Sequence, residues 1–412
     1  MNSQSYPFSR SPRGGNLESA PRGLPSSKGL RDGFFSALTA WAASASQSID
    51  PTLEIRFMAP SGVSANFISH REVGALRFIP HPKDIGLKEF IERLNEDFKD
   101  RSYLLTFQDI QYYDRLYFQT LLAYLGQLYT RFSLPVGRVG VRVRIGHGSV
   151  PQSMDYVEHE SVLSLTLWGC RQLVVGKKKF TAKEGEWLYS PPGKARGFTS
   201  TTGHAALELR FDSESLASDL KYMAMNSVLE HVCDLEVPNF YSKESGSQPP
   251  KEMKLLYNEV RRAAKGLDLE RMACRLWLER LTSKGLTKIP PIIPSAIVPG
   301  DVLISVPNRS ILWSEVKKGT QLVLSVSGHS VVIYREEAVI QAIKQLNQGK
   351  AVSLSELAQT LSSQTMAKVA GALGALRSMG AFQTNERYVR DFERSVSFES
   401  YLKGDFSARV DE

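Results

Sequence analysis

The chain predicts an α+β fold: a small barrel or sandwich of short strands with helices before and after it, and a separate helical module towards the C-terminus. Three observations predict it. Residues 136–212 alternate apolar and polar residues in short runs broken by Gly and Pro, the period of half-buried strands joined by turns. The flanking stretches, 33–135 and 213–285, repeat their apolar residues at helical spacing. A Pro-rich hinge, Pro290-Pro291-Ile292-Ile293-Pro294, separates them from the C-terminal part of the chain, as inter-domain linkers do.

Residues 1–32 are rich in Ser, Pro, Gly and Arg and poor in large apolar residues, the composition of a disordered tail. Arg10, Arg13, Arg22, Lys28 and Arg31 against Glu18 and Asp32 place +3 of the chain's +8 there. A Ser/Arg-rich, acid-poor start reads either as a solvated tail or as an organellar transit peptide, and the lack of an apolar core near Met1 argues against a secretory signal. Residues 33–135 predict three core-facing helices. Phe34, Phe35, Leu38, Trp41 and Ala42 mark the first; Phe90, Ile91 and Leu94 mark the second, over 87–98; Leu121, Leu122, Leu125 and Leu128 mark the third, over 116–132. Strands are expected at 139–145, 162–167, 172–175, 187–189 and 206–211. Five or more short strands in one block of this length suggest a barrel or sandwich. His147 and His204 fall beside Gly in the intervening turns, where a His usually faces solvent.

Residues 213–289 return to helix, at 216–228, 251–264 and 267–281. Residues 295–384 carry a strand pair, 322–326 and 331–334, and three helices. These are marked by Val339/Ile340/Ile343/Leu346, Leu354/Leu357/Leu361 and Val369/Leu373/Leu376, with Gly349 and Gly380 at helix ends. That order reads as a winged-helix-like module. Five basic and three acidic residues over 335–384 leave no basic stripe for a recognition helix, so packing or protein contact is expected there rather than DNA binding. Residues 385–412 read as a polar tail.

Composition limits the function classes. At 412 residues, 42% hydrophobic and 23% charged, the chain is globular, with room for two or three domains. A net charge of +8 permits an acidic or nucleic-acid partner without requiring one. Cys170, Cys233 and Cys274 are far apart, against a disulfide scaffold or a Cys-rich zinc site and in keeping with a reducing, cytoplasmic setting. No run of about 18 apolar residues predicts a membrane span. Neither Gly-Lys-Ser/Thr nor Gly-x-Ser-x-Gly occurs, which removes the P-loop and nucleophile-elbow chemistries. Lys177-Lys178-Lys179 sits at an expected hairpin turn. It reads as a solvated turn or, with the basic tail, as a contact for an acidic partner such as RNA or the ribosome.

Two segments carry the most specific signal. One runs Tyr156-Val-Glu158 through Leu167-Trp168-Gly169-Cys170-Arg171 to Gly176; the other is Glu184-Gly-Glu-Trp-Leu-Tyr-Ser-Pro-Pro-Gly193-Lys-Ala-Arg196. Together they resemble the JmjC-type cupin oxygenases, and within them the ribosomal-oxygenase subfamily. The likeness in layout covers roughly residues 33–382. It implies a double-stranded β-helix over 33–212, a helical dimerisation region over 213–289, a winged-helix-like domain over 295–384, and hence a homodimer. It also implies an H-x-D pair and a later His that hold Fe(II), with open positions for 2-oxoglutarate and oxygen.

This chain departs from that pattern at the ligands themselves. Counted without gaps, Tyr156 stands at the first His, Glu158 at the acid and Arg196 at the last His. Glu can replace Asp. Tyr is a poor ferrous ligand unless deprotonated, and its ordinary pKa is about 10. Arg is permanently cationic and cannot ligate at all. The expectation is an abolished iron site and no cofactor, with Tyr156, Glu158 and Arg196 as degenerate relics. His147, His159 and His204 are the candidates for a rebuilt site. The resemblance gives the place of Arg171 to a residue that anchors 2-oxoglutarate, a role suited to bidentate bonding; the alternative is a surface or core-edge Arg. The function expected is peptide or protein binding or regulation without hydroxylation. The alternative is an active oxygenase, using Fe(II) and 2-oxoglutarate on a peptide or protein side chain or a biosynthetic intermediate. A third reading is metal-free acid/base chemistry by Tyr156 and Glu158.

Overall fold

The computed structural model describes residues 24–43, 52–59, 62–69, 78–81, 83–98, 101–131, 137–150, 160–175, 178–192, 196–212, 216–232, 251–286, 297, 300–306 and 309–384. Helices α1 (Lys28–Asp32) and α2 (Phe34–Ala43) lead into the hairpin β1 (Thr52–Ala59) and β2 (Gly62–Ser69). Then come α3 (Leu87–Asp97), β3 (Ser102–Gln108), a short 3-10 turn at Ile110–Tyr112 and α4 (Arg115–Arg131). The tail expected over 1–32 thus gives way to helix at its end: Leu30 is buried in the core, because its neighbours Phe34 and Leu38 continue the same apolar stripe.

The strand block is β4 (Val139–Val150), β5 (Glu160–Val175), β6 (Lys178–Lys183), β7 (Trp187–Ser190) and β8 (Arg196–Asp212). With the first three strands it forms one antiparallel, barrel-like sheet in the order β2-β1-β3-β4-β8-β5-β6, with β7 on the free half of the β5 edge. The strands expected at 162–167 and 172–175 are one strand, β5, that slips register between Thr166/Trp168 and between Gly169/Gln172. Two glycines permit such irregularities. Gly148 has φ of 84° and a Cβ there would lie 1.9 Å from the Ser102 Oγ; Gly169 has φ of 74° and its Cβ would lie 2.6 Å from the Gly203 carbonyl. A side chain at either place meets fixed backbone or a packed strand.

Helices α2, α3 and α4 cover one face of this sheet. Trp41, Phe90, Leu121 and Leu125 pack with Val141, Val143, Ile145, Leu163, Leu165, Leu207 and Leu209 in one core. Trp41 meets Phe107 edge-on, with centroids 5.0 Å apart, a favoured aromatic geometry. The three expected helices therefore form where the stripes place them and bury those stripes.

Helices α5 (Leu216–Val232), α6 (Lys251–Lys265) and α7 (Leu269–Ser283) come next. Asp219 of α5 pairs with Arg280 of α7 and, at 2.8 Å, with Arg138 at the foot of β4. The C-terminal part holds two three-stranded sheets. One is β10 (Leu312–Val316), β11 (Gln321–Val326) and β12 (His329–Tyr334); the other joins β9 (Val302–Ser305) to β13 (Val352–Ser353) and β14 (Phe382–Thr384). The expected strand pair gains β10 as a third strand. Helices α8 (Glu337–Asn347), α9 (Leu354–Thr360) and α10 (Ser363–Ser378) pack through Val339, Ile343, Leu346, Val369, Leu373 and Leu376 on these strands. Residues 1–23 and 385–412 lie outside the described residues.

Candidate functional site

Alternation along the central strands decides which side chains meet. Because Val141, Val143, Leu163, Leu165, Leu207 and Leu209 face the helices, their neighbours Arg142, Arg144, Ser164, Thr166 and Glu208 face the other way. That second face is also closed to water: Arg142, Arg144, Ser164, Thr166 and Glu208 are all buried. Register brings them together. Glu208 of β8 lies opposite Arg142 on β4 and opposite Ser164 on β5.

The Glu208 Oε2 accepts hydrogen bonds from Arg142 at 2.8 Å (Nη2) and 3.0 Å (Nε), and the Arg144 Nε stands 3.4 Å from the same oxygen. Arg171, beyond the slip in β5, folds back along its own strand and donates to the Thr166 Oγ1 at 3.2 Å and to the Ser164 Oγ at 2.5 Å. Arg171 is 1% exposed, which excludes the surface reading. Burial pushes its guanidinium down to about 10, with Glu208 opposing and Arg144 reinforcing the shift, so it stays charged at neutral pH.

His204 completes the cluster, and its placement corrects the expectation of an exposed turn residue. It lies within β8 rather than in a turn, opposite Gly146, and is 1% exposed. The strand bends at Gly203, with φ of 88°, instead of turning. Gly146 admits the imidazole: a Cβ there would come within 3.2 Å of the His204 Cε1. Burial pushes the His204 pKa down to about 3, helped by Arg171, Arg144 and His147 and opposed by Glu208. His147 also lies in a strand, β4, opposite Tyr103, with the two rings stacked at 6.3 Å; it too is only half-exposed.

Of the other expected site residues, Arg196 opens β8, paired in register with Val175. Tyr156, Glu158 and His159 lie outside the described residues. Among the described residues no group of three or more His, Cys, Asp or Glu side chains could hold a metal. Sequence reasoning missed Arg142, Arg144 and Glu208. The alternation Val141-Arg142-Val143-Arg144 was visible, but by itself it reads as a strand with a wet polar face. The available signal was the matching acid in Leu207-Glu208-Leu209.

Chemically, three guanidiniums and an imidazole gather around one carboxylate. Among the described residues, those of this cluster do not fit ferrous iron. A dication beside Arg144 and Arg171 would meet their positive potential, which adds to burial in keeping His204 unprotonated, at short range and in a medium that screens poorly.

No family model matches the chain, and no curated protein matches it. Solved structures similar to it include Escherichia coli YcfD, a ribosomal oxygenase, at 13% identity, covering 84% of this chain and 89% of that one with a TM-score of 0.42. The same protein in complex with cobalt and 2-oxoglutarate is similar at 13% identity, 84% and 90% coverage and a TM-score of 0.43. The Clostridium difficile EutQ protein matches over 19% of this chain and 59% of its own, at 12% identity and a TM-score of 0.16. Likenesses this distant say nothing of activity or ligand. Among the described residues no helix is long and apolar enough to cross a membrane.

Proposed function

We propose that this chain is a JmjC/cupin-like protein that binds a peptide or protein partner, or regulates one, in the cytoplasm without hydroxylating it. One observation carries the reading: the buried polar face of the sheet is built from Arg142, Arg144, Arg171, His204 and Glu208, a set that repels a divalent cation. In the same reading Tyr156, Glu158 and Arg196 no longer ligate iron, no cofactor is used, and Arg171 is the contact for a small anion or a carboxylate. The chain acts as a homodimer. The Lys177-Lys178-Lys179 run, whose last two residues open strand β6 where a turn was expected, keeps RNA or the ribosome as a further partner.

Anaerobic titration of the purified chain with Fe(II), and separately with Co(II), tests it. No stoichiometric binding is expected. Tight one-to-one binding would overturn the reading in favour of an active oxygenase with Fe(II) and 2-oxoglutarate. The double substitution Tyr156→His with Arg196→His should create metal binding; a folded double variant that binds none would remove the ligand register.

A further inference from the structure

We infer that the open edge of β12 is a docking site for an extended, acidic segment of a partner protein, which adds antiparallel to the sheet of β10, β11 and β12 as a fourth strand. The inference deepens the part of the proposed function in which the chain binds a peptide or protein, and is independent of the part that concerns iron.

The hydrogen-bond pattern shows which groups face the edge. Strand β12 is the last of its sheet. The Arg335 amide donates to the Thr320 carbonyl at 3.0 Å, one step beyond the paired residues Gln321 and Tyr334. Bonded and non-bonded pairs alternate along an antiparallel ladder. His329, Val331 and Ile333 therefore bond β11, while Ser330, Val332 and Tyr334 point their N–H and C=O groups outwards. Among the described residues no turn, loop or cap bonds the backbone of those three. They are within reach of solvent: no residue of β12 is buried, whereas five of the six in β11 are. Outward groups that repeat every about 6.8 Å are matched by the backbone of another extended chain.

This edge is also undefended. Sheet edges are commonly blunted by charge, Pro, bulges or brevity. Strand β6 carries Lys178, Lys179 and Lys183, β10 carries Glu315, and β13 and β14 have two and three residues. Strand β12, His329-Ser-Val-Val-Ile-Tyr334, has six residues with no Lys, Arg, Asp, Glu or Pro, and its register with β11 is unbroken. Tyr334 is exposed at its end, an aromatic anchor of the kind that binding surfaces favour.

The side chains on either face define the partner. Ser330 and Val332 face α7: the Ser330 Oγ accepts from the Arg275 Nε at 3.0 Å, and Val332 packs on the cluster around Leu278. Val331 and Ile333 face the opposite core, with Leu324 and Val339. An added strand continues both faces. On one it meets apolar side chains. On the other it meets Arg275 and, one turn away on the same side of α7, Arg271. Both arginine side chains are 40% exposed, while their neighbours Glu279 and Asp268 are 18% and 30% exposed. The cations stand further out than the anions, so this face favours carboxylates, which a guanidinium can hold bidentately. The occupant thus alternates apolar and acidic residues. A second copy of β12 carries no acid and does not meet that description.

The test is fluorescence anisotropy of the full chain with a short labelled peptide of alternating Val and Glu. In antiparallel addition the Glu residues lie opposite Ser330, Val332 and Tyr334 and bond β12 through their backbone. Saturable binding is expected. It should weaken at least about tenfold when the Glu amides are N-methylated or Lys replaces Glu, and should persist when the Val amides are N-methylated. Val332→Pro and Tyr334→Pro each remove one outward donor at a place where an edge strand accepts Pro; each should weaken binding about fivefold or more, with circular dichroism confirming the fold. A wild-type chain that does not take up the peptide, or that binds the Lys peptide equally, would overturn the inference. So would binding undiminished in the folded Pro variants, which would leave the proposed function standing with its partner elsewhere. A change of oligomeric state in either variant by sedimentation would assign the edge to a second copy and overturn the inference too. Stoichiometric Fe(II) binding by a chain that takes up the peptide at β12 would count against the proposed function alone.

Discussion

Replacing Glu208 by Gln removes a carboxylate that both Arg142 and Arg144 face. The carboxylate is 1% exposed, and the two guanidinium side chains are 9% and 3% exposed. The desolvation of all three groups is then met by fewer charge-assisted hydrogen bonds. Removing one partner from a buried pair costs about 3–5 kcal/mol, most of it the penalty of the charge left behind. The pair Glu160–Arg210 joins β5 to the same β8, with a hydrogen bond of 2.6 Å, but its side chains are 19% and 22% exposed. Water screens it, so Glu160→Gln should cost no more than about 1 kcal/mol. Urea unfolding monitored by tryptophan fluorescence reads both variants on one scale, as a drop in midpoint at unchanged slope. A further double variant, Arg142→Met with Glu208→Leu, should lose less than Glu208→Gln, because it leaves one guanidinium, Arg144, without the carboxylate where Glu208→Gln leaves two. If Glu208→Gln costs under about 1 kcal/mol, or no more than Glu160→Gln, then the cluster is hydrated and the argument from burial fails.

The same geometry sets other expectations. His204 titrates near 6.5 when unfolded and is held down to about 3 in the fold; between those values the unfolded chain takes up the proton, so stability falls as pH falls through that window. His204→Gln should flatten that part of the stability–pH curve, and an unchanged curve would mean the imidazole is not buried. Gly148→Ala, which forces a Cβ to 1.9 Å from the Ser102 Oγ at a φ of 84°, should cost at least about 2 kcal/mol in thermal or urea unfolding. Ser362→Ala removes the oxygen that accepts from the Thr365 backbone at the start of α10 and should cost about 1 kcal/mol; a neutral result would show the cap to be idle.

Much of this protein was legible because local signals were strong. The stripes of α2, α3 and α4 place Trp41, Phe90 and Leu125 in the core, and the structure buries each. Glycines past helix ends behaved as such residues do, Gly349 and Gly380 having φ of 75° and 77°. The joining of two expected strands into β5 was not legible, because a register slip at Gly169 looks in sequence like a turn. The role of His204 was misread for the same reason: Gly203 bends a strand there and does not end it.

The chain's own pattern of periods determined the α+β class and the helix and strand blocks, since period reflects which side of an element meets the core. The proposed register, which sets Tyr156 and Arg196 at the places where the resemblance expects a ligand, likewise comes from the sequence alone. What only the tertiary structure decided is which charges meet. Arg142, Ser164 and Glu208 lie on three strands, and Arg171 reaches them only by folding back past a slipped register. Alternation says that such residues share a face; it cannot say whether that face is wet or sealed. Sealing by the surrounding strands makes the guanidinium cluster costly to disrupt and hostile to a dication.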